Sequence, residues 1–333
     1  MHPLAIVYIF HEAAAPGNPG GNGRSRMRRT AIILGVFLLA AGGCRQAPPK
    51  TARLTVLTSF LPLWVFTVNV VGDRPGVEVA LLIPSGRSPH DYQLTPGDLK
   101  KINRADLFIV NGYYLEEFLE SAVNKAKPGL KVLRAAEAAP PIVAGPASPG
   151  LLAGPADPHA NVNPHVFASP TDAAVMVRAI AAALAEADPA GAAVYRRNGE
   201  AYAARLTALG DEIRAVVQAA PNRQVVTYHN AFAYLARATG LEIVGTIESA
   251  PGQEPSAGEL SRLAERIRQT GARAVLSEPQ YSPRLAETLA RETGAPLAVL
   301  DPADTGAQTP DSYERIMQKN LETLRRILAP EPK

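Results

Sequence analysis

Cysteine is nearly missing from this chain: Cys44 is the only one among 333 residues. One thiol makes no internal disulfide and supplies no thiolate set for a zinc ribbon, so the fold must be held by packing. Aromatic residues reach only 6%, with one tryptophan, and no basic stripe is interleaved with them, which excludes a nucleic-acid partner. The apolar run Ala31 to Ala40 is half the roughly 20 residues that a membrane-spanning helix needs. Histidine is scarce as well. There are six, and four of them (His90, His159, His165 and His229) lie beyond residue 43.

What is present begins with a leader. Met27-Arg-Arg-Thr30 precedes the short apolar run and then Ala41-Gly-Gly-Cys44, the layout of a secretory signal peptide. The last four residues resemble a bacterial lipoprotein box, with Ala41 where such boxes usually carry Leu. That resemblance implies diacylation of Cys44 and its exposure as the mature first residue. Residues 1–26 are Gly/Pro-rich and fit no leader, so Met27 is read as the start. Without Arg24, Arg26, Arg28, Arg29 and Glu12, the 34 basic and 31 acidic residues become 30 of each. The mature chain is then neutral, and the sequence pI near 9.0 belongs to the leader.

About 290 residues remain after Cys44, enough to bury a large core and near the length at which chains divide into two domains. Strand candidates at 54–57, 77–83, 107–110 and 130–133 alternate with helical patterns starting near Leu61, Thr95 and Leu115. The same alternation returns with strands at 224–228, 242–247, 272–276 and 297–300, and helices at 231–239, 257–269, 283–293 and 312–328. Such alternation predicts α/β architecture with two lobes, each a parallel sheet flanked by helices. Between the repeats, Ser169-Pro-Thr-Asp172 caps one helix, and Asp188-Pro189 opens another with Asp as N-cap. Tyr195, Tyr202, Leu206, Leu209, Ile213 and Val216 then keep one face apolar. The spacing predicts a rigid helix of about 30 residues, spanning about 45 Å, that joins the lobes. Gly199 and Gly210 interrupt it, each at a cost of about 1 kcal/mol relative to Ala. Residues 137–161 are dominated by Ala, Pro and Gly without periodicity and read as a mobile loop.

Three histidines stand singly in loop contexts. His90 follows a strand and precedes a helix, His165 lies in Asn163-Pro-His165-Val-Phe167, and His229 directly follows the strand ending at Tyr228. Asp301 follows the run 296–300 in the same way. Ligands of open α/β sheets collect at strand carboxyl ends, and three imidazoles with one carboxylate make a tetrahedral set for a divalent cation. Taken singly, each histidine has a bland reading as a cap or a surface residue, and Asp301 before Pro302 as a turn cap. The combination favours a metal site in the cleft between the lobes, and the donor set favours Zn²⁺ over the harder Mn²⁺. His159 sits within the Ala/Pro/Gly loop and is a weaker ligand candidate.

The motifs Ser88-Pro-His90-Asp-Tyr92, Asn163-Pro-His165-Val-Phe167, Tyr228-His229-Asn-Ala-Phe232, Glu254-Pro-Ser256, Glu278-Pro-Gln-Tyr281 and Leu300-Asp301-Pro302 together resemble the extracytoplasmic metal-binding lipoproteins of zinc and manganese ABC transporters. The resemblance covers residues 53–330. It implies His90, His165, His229 and Asp301 as the metal ligands, an ABC permease and its ATPase as partners, a monomer, and a periplasmic or outer-surface location with the lipid anchor on the membrane. Zinc members of that family tend to carry His at the third ligand position and manganese members Glu, so His229 again favours zinc. The chain departs from the family at Asn163, where Asp is usual, and in lacking a His-rich loop. The resulting division is leader 1–43, tether 44–52, amino-terminal lobe 53–170, linker helices 171–220 and carboxy-terminal lobe 221–333.

Three other readings fit parts of the pattern: a manganese or iron receptor of the same family, an adhesion lipoprotein with structural zinc, and a zinc hydrolase. A catalytic zinc keeps one position open for water, which Asp301 would close. The sequence also lacks His-Glu-x-x-His, which His11-Glu12 in the leader begins but does not complete, Gly-x-Ser-x-Gly and a phosphate-binding loop, so no enzymatic activity is expected.

Overall fold

The computed structural model describes residues 54–90, 92–143, 162–248 and 254–330. Cys44, the leader, His159 and Asp91 lie outside them.

Two four-stranded parallel sheets are built in the same order. In the first, β1 (Leu54–Thr58) lies between β2 (Val77–Leu81) and β3 (Leu107–Val110), with β4 (Lys131–Arg134) beyond β3. In the second, β5 (Gln224–Thr227) lies between β6 (Glu242–Thr246) and β7 (Val275–Ser277), with β8 (Leu297–Val299) outermost. The interior strand β3 reads Leu-Phe-Ile-Val and is buried throughout, as expected of a strand covered on both faces.

Helices fill the crossovers. α1 (Leu61–Val71), α2 (Pro96–Arg104) and α3 (Glu117–Ala126) belong to the first sheet, while α6 (Ala233–Thr239), α7 (Ala257–Thr270) and α8 (Arg284–Thr293) belong to the second. Between the sheets run α4 (Pro170–Ala187) and α5 (Ala192–Gln218), packed along each other, and α9 (Ser312–Leu328) returns from the second lobe to lie on α5 and α1. One continuous apolar core includes Phe66, Tyr195, Tyr202, Leu206 and Leu324, while two smaller clusters sit under the outer helices of each lobe.

Gly199 and Gly210 have a packing reason. A Cβ on Gly199 would stand 2.6 Å from Ala181 Cβ, and one on Gly210 would stand 2.4 Å from Thr171 Oγ1. The glycines let α5 approach α4 more closely than any side chain permits.

Two expectations need correction. Asp188 stands at the N-cap of a 3₁₀ turn, Pro189–Gly191, that runs directly into the long helix, and the α-helix itself starts only at Ala192 with Gly191 at its cap. The Asp188 carboxylate instead accepts from Arg74 Nε at 3.0 Å and from the Tyr195 hydroxyl at 2.7 Å, because two strong donors compete better for it than exposed helix amides. The loop expected from residue 137 begins with order: Ala135–Ala138 form a 3₁₀ turn, and Tyr113 and Arg237 donate to the carbonyls of Ala139 and Pro140. Residues 144–161 lie outside the described part. Among the described residues no helix is long and apolar enough to cross a membrane.

Candidate metal centre

Each histidine is delivered by a short segment at the end of an element. His90 ends the turn after β2, its amide held by Ser88 Oγ at 3.2 Å. The exit from that segment is pinned at α2, where Thr95 and Asp98 form a capping box and Asp98 also accepts from the Tyr92 hydroxyl at 2.8 Å. His165 precedes a single 3₁₀ turn, Val166–Ala168, which leads to Ser169, the side-chain cap of α4. His229 stands directly after β5 and before the 3₁₀ turn Asn230–Phe232.

The three rings converge. His165 Nε2 lies 3.1 Å from His90 Nε2 and 3.2 Å from His229 Nε2, and all three donor atoms fall within 4.8 Å of one another. His165 and His229 are buried and His90 is half-buried.

The opposite nitrogens decide the tautomers. His229 Nδ1 is 2.8 Å from Glu278 Oε1, and His165 Nδ1 is 3.0 Å from Asn163 Oδ1. Both partner oxygens accept, so each Nδ1 carries the proton and each Nε2 lone pair turns toward the cluster. Glu278 is steadied by Gln280 Nε2 at 2.8 Å, and the amide of His229 also donates to Glu278. Asn163 is steadied across the lobes by donating to the Asn230 carbonyl at 2.7 Å. Tyr281 packs edge-on against the His229 ring and stacks on Tyr228 at 4.7 Å.

Electrostatics separate the three imidazoles. Burial, followed by the His229 charge, pushes His90 down to about 4. His165 is held well below its ordinary value by burial and by both neighbouring imidazoles. Burial alone would lower His229 too, but the charge and hydrogen bond of Glu278 outweigh it and raise the imidazole above its ordinary value. The neutral amide of Asn163 orients His165 without that effect.

Asp301 lies at the edge of this arrangement and is not one of the three groups that converge within 4.8 Å. Its backbone is fixed by Asn320 of α9 in both directions, at 3.0 and 2.7 Å. Its carboxylate accepts from the Ala303 amide at 2.8 Å and from the Thr305 hydroxyl at 2.9 Å. Burial, foremost, raises its pKa. The sequence reading missed a second acid in the same turn, Asp304, which is 7% exposed with its Oδ1 sealed and without a hydrogen-bond partner. Burial and then the charges of Asp301 and Glu278 push Asp304 up to about 7. Glu278 and Asn163 lie in the motifs Glu278-Pro-Gln-Tyr281 and Asn163-Pro-His165, but nothing in the sequence assigns them to a particular ring.

Two parallel-sheet lobes joined by long helices, with imidazoles from both converging between them, define a bilobal α/β binding protein. The chain belongs to the family described as zinc-uptake complex component A, periplasmic, whose model matches residues 56–327. It is 34% identical over 307 residues to the high-affinity zinc uptake system protein ZnuA of Bacillus subtilis, covering 88% of this chain and 95% of that one. The zinc-binding lipoprotein AdcA of Streptococcus pneumoniae is 30% identical over 301 residues, 89% of this chain but 59% of AdcA, so this chain spans little more than half of that relative. Among solved structures, FpvC of Pseudomonas aeruginosa in complex with Mn²⁺ superposes with a TM-score of 0.72 at 32% identity, over 83% of this chain and 98% of that one. The laminin-binding protein Lmb of Streptococcus agalactiae, described as having adhesin and metal-transporting activity, gives 0.69 at 26%, over 83% and 99%.

Proposed function

We propose that this protein captures a divalent transition cation, zinc, outside the cytoplasm and hands it to an ABC permease for uptake. The observation that carries the reading is the spacing of the Nε2 atoms. Two nitrogens bound tetrahedrally to one ion at about 2.0–2.1 Å are about 3.3 Å apart, and the two closest pairs here lie at 3.1 and 3.2 Å. Lone pairs facing one another at that range repel unless a cation or proton lies among them. His90, His165 and His229 are therefore the proposed ligands, with Asp301 as the fourth. The lobes are residues 53–170 and 221–333, joined by 171–220, and a lipid on Cys44 tethers the mature protein to a membrane. Zinc-binding relatives support the metal, as do three imidazole donors, which suit zinc better than manganese. Manganese is the alternative, favoured by the FpvC complex. A receptor role, in which the cation is cargo, fits a donor set whose fourth position a carboxylate fills.

The deciding experiment is metal analysis of the natively purified protein beside competition titrations with zinc and manganese. One zinc per chain is expected, with His229→Ala reducing zinc affinity by at least about 100-fold. Manganese or iron in the native protein would overturn the zinc assignment.

A further inference from the structure

We propose that the amino edge of the first sheet is a membrane-docking face, and that its occupant is the anionic lipid surface into which the chain's own anchor inserts. The inference rests on the lipid tether proposed for Cys44 and goes beyond it, since a tether by itself fixes no orientation.

The first support is where the chain enters the fold. β1 begins at Leu54, and its first two amides are held at the amino edge, by the Gly76 carbonyl at 2.8 Å and by the Asp106 carboxylate at 2.9 Å. Cys44 lies ten residues before Leu54, so with extended backbone covering at most about 3.6 Å per residue, a lipid on it stays within about 36 Å of this edge. The metal centre is at the other end of the same sheet, because His90 follows β2.

The second support is charge. α2 and α3 both end at the amino edge, where Lys127 Nζ, at the cap of α3, donates to the Ala105 carbonyl at the cap of α2. Lys100 and Arg104, four residues apart on one helix face, are exposed, as are Lys125 and Lys131. Lys131 opens β4 directly opposite Leu107. Lys101 does not belong to the group, since its ammonium turns back to the Leu81 and Leu82 carbonyls and to Asp98. Stretches 99–106 and 123–131 contain one acid, Asp106, and its carboxylate is the one that holds the Thr55 amide. Asp73 and Glu78 stand on the β2 side of the edge, where Asp188 takes the charge of Arg74.

Cations in the last turn of a helix complement its dipole, which accounts for Arg104 and Lys125. It does not account for Lys131, which stands on a strand, or for the meeting of both helix ends beside β1. A cluster of lysine and arginine next to an acyl anchor is what an anionic bilayer attracts, within a Debye length of its surface. The lipid then holds the protein and the cations choose the face. In that posture the metal centre stands at the end of the sheet remote from the bilayer, and delivery to a permease in the same membrane requires the face to let go.

The test uses the full lipidated chain in two kinds of vesicle, phosphatidylcholine alone and phosphatidylcholine with phosphatidylglycerol. Cys44 carries the lipid and the chain has no other cysteine, so Asn103→Cys, exposed between Lys100 and Arg104, takes a single fluorophore. A quencher on the lipid headgroups reports its contact with the surface. The proposal expects quenching at least about threefold stronger with phosphatidylglycerol, falling to the phosphatidylcholine level in about 1 M salt, where the Debye length is about 3 Å. Lys100→Glu, Arg104→Glu, Lys125→Glu and Lys131→Glu combined should abolish the difference and leave zinc affinity at the wild-type value. Equal quenching in the two vesicles, or an undiminished difference in the charge-reversed variant, overturns the proposal. Should that variant fold poorly, the comparison of the two vesicles with the natural charges decides alone. Mass analysis of the amino-terminal peptide keeps the two readings apart: Cys44 without diacylglycerol refutes the tether and the proposal with it, whereas a diacylated protein indifferent to phosphatidylglycerol refutes only the docking face.

Discussion

At the residue scale, His165 and His229 are made unequal by what their Nδ1 atoms touch. Glu278 gives His229 a charged partner and Asn163 gives His165 a neutral one, so His229 holds a proton to higher pH than either neighbour. A cation must displace that proton, so binding weakens as pH falls through the raised pKa of His229, beginning above the ordinary histidine value. Zinc titrations at pH 7.5 and 5.0 should show a large loss at the lower pH, and equal affinities would count against the site. Glu278→Gln keeps an acceptor near Nδ1 but removes its charge. That variant should bind zinc about 10- to 100-fold more weakly at pH 7.5. Its loss of affinity should also set in at a lower pH, because His229 is then less basic. Proton NMR of the metal-free variant measures that pKa directly.

At the element scale, the close contact of α4 with α5 governs how stiffly the lobes are joined. Helix propensity alone makes Gly→Ala at positions 199 and 210 favourable by about 1 kcal/mol each. The 2.4 and 2.6 Å approaches to Thr171 and Ala181 reverse the sign, since a methyl there forces the pair apart at a cost of about 1–3 kcal/mol. Gly210→Ala should accordingly lower stability in denaturant melts, and a rise would show that the helices yield easily. Because Thr171 lies in the first turn of α4, two residues beyond Ser169, the same variant should also reduce zinc affinity slightly through His165.

At the scale of the whole molecule, the lobes share one core rather than two. α9 and the turn before it tie them further, through the Tyr202 hydroxyl to Glu314 at 2.9 Å, the Tyr313 hydroxyl to the Phe167 carbonyl at 2.7 Å and Asn69 Nδ2 to the Pro310 carbonyl at 2.8 Å. Opening a wide cleft would break these bonds and expose the tyrosines. Cation capture is therefore expected to proceed without a wide opening of the lobes. Small-angle scattering with and without zinc should give radii of gyration within about 1 Å. A larger change would mean that the shared core opens.

The parallel strands, the starts of α2, α4 and α7, the Ser169 cap and the family were legible in the sequence because they rest on local signals: apolar runs, helical periodicity, Ser169-Pro-Thr-Asp172 and motifs around each histidine. The approach of His90 and His229 followed from their positions after strands, which parallel topology brings to one edge, whereas His165 arrives on the segment that leads into α4. Other features depend on residues distant in the chain and carry no local signature. Asp188 carries the local signature of a cap, but only the fold brings Arg74, 114 residues away, onto its carboxylate. Gly199 and Gly210 looked like defects until α4 lay against them. Glu278 and Asp304 are ordinary acids in their own segments, and only the fold places one on an imidazole and seals the other without a partner. The sequence by itself determined which atoms could bind a cation. Tertiary structure decided their protonation, their orientation and which carboxylate stands free, because burial and long-range hydrogen bonds set all three.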